Sequence, residues 1–166
     1  MSIALAVLFP IGALGLAAFL GAMVARLGRG DHRAAAYGGA FGAAGIIGTY
    51  TMLIATDLAI AGYVHRGGAA LDVVGGLWVL HNAIFGVLLA SIGIALAGLS
   101  AAAAASGQVA DWWKALGLLG SILLLIAAAT TPAIIEGGPT MFVGLAGFLI
   151  WLTFVTVSSV TLLRHN

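Results

Sequence analysis

A chain of 166 residues that is 63% hydrophobic and only 7% charged, with a mean hydropathy of +1.20, cannot clothe a water-soluble globule in polar surface; a soluble domain carries about 25% charged residues. The formal net charge of +1 rests on six Lys and Arg scattered along the chain, so there is no basic stripe and no nucleic-acid partner is expected. The absence of cysteine excludes disulfides, thiolate metal sites, iron–sulfur clusters and a cysteine nucleophile.

The first apolar run, about 3–25, follows Met1-Ser2 with no Lys or Arg before it and exceeds the core length of a signal peptide. It is expected to be a retained membrane span, with Pro10 at a position that would kink it. Arg26, Arg29, Asp31, His32 and Arg33 follow, the densest charge cluster in the chain; such a cluster either marks topology or holds anionic lipid headgroups. A second span is expected over about 34–64. It is too long for one upright crossing, so it must tilt, kink or emerge into water. Gly38 and Gly42 stand four apart in it, with Gly45 and Gly48 nearby. That small-xxx-small spacing would let another helix approach closely; with 25 glycines in the chain, general glycine richness is the plain alternative. His65 and Arg66 open the next loop.

The third span, about 73–99, carries Trp78, His81 and Asn82 in an otherwise apolar run, and an alanine-rich tail can extend its helix to a break at Ser106-Gly107. Trp112, Trp113 and Lys114 suit an interfacial anchor. A fourth span is expected over about 114–131, a loop from Thr130 to Pro139, and a fifth span over about 141–163 with Pro139 near its start. The expected fold is thus an all-α integral membrane bundle of five transmembrane helices in a single domain, in the bacterial cytoplasmic (inner) membrane. With the N-terminus outside and the C-terminus cytoplasmic, Arg26, Arg29, Arg33, Lys114 and Arg164 fall inside and only Arg66 outside, which satisfies the positive-inside rule.

Ionisable groups inside a membrane are functional candidates by default, because leaving water is costly. Asp57 and His81 are expected at matching depth, roughly 10–12 Å below the outer ends of two consecutive, antiparallel spans, and hence adjacent. Asn82, Thr49, Thr51, Thr56 and, on the same outer side, Glu136 with Thr130 and Thr131 complete the polar set. Asp57, His81, Asn82, Glu136 and Trp78 are therefore the candidate ligand-binding residues, with Asp57 and His81 the candidate acid/base pair. The plain alternative is a structural interhelical contact worth about a kcal/mol. No metal site is expected, for want of HxxxH, ExxH or a second intramembrane histidine. Haem is not expected, since His65 would have to reach His81 from a loop. Trp151 and the Ser158, Ser159, Thr153, Thr156 group read as packing and helix back-bonding. No nucleotide-binding or serine-hydrolase motif is present.

The stretches LHNAIFGVLLASIGIALAGLS, DWWKALGLLGSILLLIAA and GFLIWLTFVTVSSVTLLR, within roughly 77–164, resemble small multi-pass membrane proteins of actinobacteria and related bacteria, a family of unknown function. The resemblance implies a helical membrane fold and assigns no site residue. The expected function is a lipid or small-solute binder, or an accessory subunit of a larger membrane complex. The partners are membrane lipids and either a second copy of the chain or another subunit, with the glycine face of the second span as the contact. The alternative is a small membrane enzyme acting on a lipidic substrate through Asp57 and His81.

Overall fold

The computed structural model describes residues 3–28, 31–67 and 70–164; Met1-Ser2, Arg29 and His165-Asn166 lie outside them. The described residues form helices and no strand: α1 (Ile3–Leu27), α2 (Arg33–His65), α3 (Leu71–Ala105), α4 (Trp112–Ala129), α5 (Thr131–Ile135) and α6 (Thr140–Arg164). α1 continues through Pro10. Four helices, α2, α3, α4 and α6, are long and apolar enough to cross a membrane; the Ile11–Leu27 part of α1 is apolar but shorter. α2 has 33 residues and α3 has 35, about 50 Å each, against a hydrocarbon core of about 30 Å.

α3 is the central helix and touches every other one. Its closest partner is α2, and the reason is a seam of small residues. Buried positions on α2 include Gly39, Gly42, Ile46, Leu53 and Thr56; on α3 they include Ile84, Leu88, Ser91, Ala95 and Ala102. Both series advance by steps of three, four or a full seven, the 3.5-residue period of two helices packed knobs-into-holes. Gly42 faces Ala95, Gly39 faces Leu99, Gly45 faces Ser91, and Gly98 faces the backbone of Ala35 and Gly39. The same antiparallel register, continued outward, sets Asp57 against His81.

This corrects the expected glycine face. Gly38 and Gly48 have open space beside them, whereas Gly39, Gly42 and Gly45 make the contact. That face is filled by α3 of the same chain, so it is not a surface for a second copy.

α4 packs antiparallel on α3, with Gly117 against Ser100 and Gly93 against Ser121 and Leu124. α6 closes on α4 through Gly144 against Ala127 and Gly147 against Gly120 and Leu124. Phe154, fully buried, lies between Trp113 and Trp151 at ring separations of 6.2 and 6.4 Å. α1 adds Leu20, Met23 and Leu27 to the core.

Two departures from expectation shape the end of the bundle where α2 turns into α3. The fourth helix stops at Ala129, and five residues expected in a loop form α5. Pro132 has no N–H to give the carbonyl of Ala128. The Thr131 hydroxyl donates to that oxygen instead, at 2.8 Å. α5 then ends in a Schellman turn: Gly137 takes φ +81°, its N–H donates to Ile134 O, and the N–H of Gly138 donates to Ala133 O. That turn fixes where Glu136 leaves the helix. α3 ends the same way at Ser106-Gly107, as expected, with φ +71° at Gly107.

Candidate functional site

Asp57 and His81 meet across the α2–α3 seam. His81 Nδ1 lies 2.9 Å from Asp57 Oδ1. Nδ1 is buried and has no hydrogen bond in line with the ring, so the two groups are in close approach without a directed N–H···O bond. His81 is 20% exposed and Asp57 50% exposed, so the pair lies at the rim of the seam and not in its packed interior. One turn before His81, the indole of Trp78 stacks on the imidazole, with centroids 5.1 Å apart and planes 4° from parallel. The three side chains form one run, from carboxylate to imidazole to indole.

Asn82 follows His81 in sequence and so points about 100° round the helix, away from Asp57. It lines a groove between α3 and the α4–α5 segment, together with Trp78 and Glu136. Trp78, Asn82, Gly86 and Ala90 form the α3 wall, each four residues from the next and therefore on one face. Leu125, Ala128, Pro132 and Ile135 lie on the facing wall, with Glu136 at its end. The groove has a volume of about 830 Å³. From Trp78 to Ala90 it runs about 18 Å along α3, at ~1.5 Å per residue, which is close to one leaflet of a bilayer whose core is ~30 Å. Its chemistry is graded: indole, amide and carboxylate at one end, aliphatic carbon at the other. The side chains of Asn82 and Glu136 make no hydrogen bond or ion pair among the described residues.

A second cavity of about 400 Å³ lies on the other side of α3, lined by residues such as Phe85, Leu89, Met141 and Phe148, with Tyr50 of α2. Its lining is almost wholly apolar, and none of the expected site residues belongs to it.

The structure thus divides the expected constellation. Trp78, Asn82 and Glu136 share the groove; Asp57 and His81 line neither cavity and reach the groove only through Trp78. Thr49, Thr51 and Thr56 are not part of it either, since each hydroxyl donates to a carbonyl one turn back at 2.6–2.9 Å. Thr153 and Thr156 back-bond as expected, but the buried Ser158 hydroxyl has no hydrogen-bond partner among the described residues. Among the described residues no three of His, Asp and Glu come together as a metal-binding group. His65 stands exposed at the end of α2, about 12 Å of helix beyond Asp57.

Sequence reasoning missed the α4–α5 wall: Leu125, Ala128, Pro132 and Ile135 read as ordinary span and loop residues. The periodic signal that could have found the other wall was the Trp78–Asn82–Gly86–Ala90 ridge.

A polar contact between two membrane helices typically contributes under about 1 kcal/mol. Asp57→Asn should therefore shift the unfolding free energy of the purified protein by less than about 1 kcal/mol, measured by thermal denaturation in mild detergent. A larger loss would mean that the pair holds the hairpin together.

No family model, curated protein or solved structure matches this chain, so its function rests on the chemistry of these residues.

Proposed function

We propose that the protein is a five-span membrane protein of the bacterial inner membrane that binds a lipid-like amphiphile in the groove between α3 and α4–α5. The observation that carries this reading is the groove's gradient: free polar groups on Trp78, Asn82 and Glu136 at one end, and an aliphatic channel to Ala90 and Leu125 at the other. A single-chain amphiphile has that shape and that polarity. In this reading α1 is the fifth span and the N-terminus is outside. The end of the bundle bearing Arg26, Arg33, Lys114 and Arg164 is cytoplasmic, as the positive-inside rule favours. The groove then opens in the outer leaflet. The resemblance to small multi-pass proteins of actinobacteria is in keeping with this placement.

Acid–base catalysis by Asp57 and His81 would require the pair to face the bound molecule; Trp78 stands between them and the groove. Their role in this reading is to back the indole.

The test blocks the apolar end. Ala90 lines the groove, and Ala90→Phe places a ring where the chain would lie. Wild-type protein in dodecyl maltoside, given hexadecylphosphocholine, should retain one molecule in native mass spectrometry, and Ala90→Phe should lower the bound fraction about tenfold, the loss of roughly 1.4 kcal/mol of buried chain. Equal retention by the two proteins would refute the groove as the site.

A further inference from the structure

We propose that the head of the bound molecule is a cationic amine, an inference that rests on the amphiphile reading above. Three observations select the charge. Among the described residues Glu136 is the only formally charged side chain lining the groove, and no Lys, Arg or His lines it. Its carboxylate has no ion-pair partner among the described residues, so it is open to a ligand. Trp78 presents an indole to the same end of the groove and is half-exposed, with only one face covered, by His81. A carboxylate and an open indole face lining the same end of one groove are the pairing that holds an ammonium group, by charge on one side and by the ring quadrupole on the other.

The surroundings point the same way. The described residues of this end carry Asp57, Asp72 and Glu136 against Arg66 alone, while most of the basic residues stand at the opposite end. An anionic head, sulfate or phosphate, would meet a carboxylate and acidic neighbours with no counter-charge in the groove. A neutral head could hydrogen-bond to Asn82 but would leave Glu136 unpaired. The amine can be primary or quaternary: Glu136 and Asn82 accept hydrogen bonds from the first, and Trp78 favours the second.

His81 is a positioning residue in this scheme. Its ring lies flat on the inner face of Trp78 and, with Asp57 behind it, keeps the indole from turning inward.

The test uses three amphiphiles of equal chain length: hexadecyltrimethylammonium, hexadecyl maltoside and hexadecyl phosphate. Each is offered at equal concentration to the whole protein in dodecyl maltoside, and the bound fraction is read by native mass spectrometry. The expected result is a preference for the cation of at least about tenfold over the phosphate. Glu136→Gln should remove most of that preference, and Trp78→Leu should weaken the cation about fivefold or more, as loss of a cation–π contact implies. Asp72→Asn, which lies outside the groove, should leave it unchanged. His81→Ala should lower the cation preference, and His81→Phe, which keeps a flat ring against Trp78, should largely restore it, a rescue that loss of packing elsewhere would not produce. If all three heads bind alike and Ala90→Phe still blocks them, the groove binds amphiphiles but the head selection is wrong. If none is retained in an Ala90-dependent way, the amphiphile reading and this inference both fall.

Discussion

Gly98→Ala should destabilise the protein by about 1–3 kcal/mol, the range for overpacking a filled interface. An added Cβ at Gly98 would strike the main chain of Gly39 and the carbonyl oxygen of Ala35, which is 2.6 Å from it. These are backbone atoms, so no side-chain rotation relieves the clash, and α2 and α3 must separate. Gly42→Ala meets the backbone of Ala95 and Ser91 and should behave alike. Gly38→Ala and Gly48→Ala are the controls. Both positions are open, so alanine there should be neutral or stabilising, through its better helix propensity of up to about 1 kcal/mol. Unfolding in a graded detergent series would compare the four variants. Equal behaviour of Gly98→Ala and Gly48→Ala would contradict the close α2–α3 seam. Because Asp57 and His81 meet at the far end of that seam, its opening should also remove the Asp57–His81 contact.

Phe154→Ala should cost about 2–4 kcal/mol. In a membrane, lipid is as apolar as the protein interior, so simple transfer of an apolar side chain counts for little. Phe154 is different because it is fully buried between Trp113 and Trp151, where lipid cannot enter to fill the void. The loss is therefore that of the cavity and its missing dispersion contacts. Phe142→Ala provides the contrast: this residue is largely exposed and its place can be taken by acyl chains. It should change stability by less than about 0.5 kcal/mol. If the two variants unfold alike, α4 and α6 are not packed through the Trp113–Phe154–Trp151 cluster.

The helical bundle was legible from composition and from the lengths of the apolar runs, because a chain this poor in charge has few other ways to satisfy its backbone. The Asp57–His81 contact was also legible. It needed only two consecutive helices and a count of residues from the turn. The register of the glycine seam was less so. Gly38 and Gly42 have the spacing associated with close helices, but the chain has glycine at so many positions that the face in use, Gly39–Gly42–Gly45, had to be set by the partner helix. α5 was hidden because TPAII between a threonine pair and a Gly-Gly-Pro reads as a turn; the Thr131 hydroxyl, by satisfying the carbonyl that Pro132 leaves free, lets the chain continue helically. The groove was illegible for a deeper reason. It is a property of the gap between α3 and α4–α5, and residues such as Ala128 and Ile135 carry no chemical sign of facing a gap rather than lipid.

The most direct measurement is a density map of the protein in a lipid nanodisc, at a resolution that separates side chains. The groove reading predicts an elongated feature lying along Trp78, Asn82, Gly86 and Ala90, its thicker end between Trp78 and Glu136 and its thin end near Leu125. An α4–α5 segment closed onto α3, with Ala90 in contact with Leu125 and no density between Trp78 and Glu136, would contradict it.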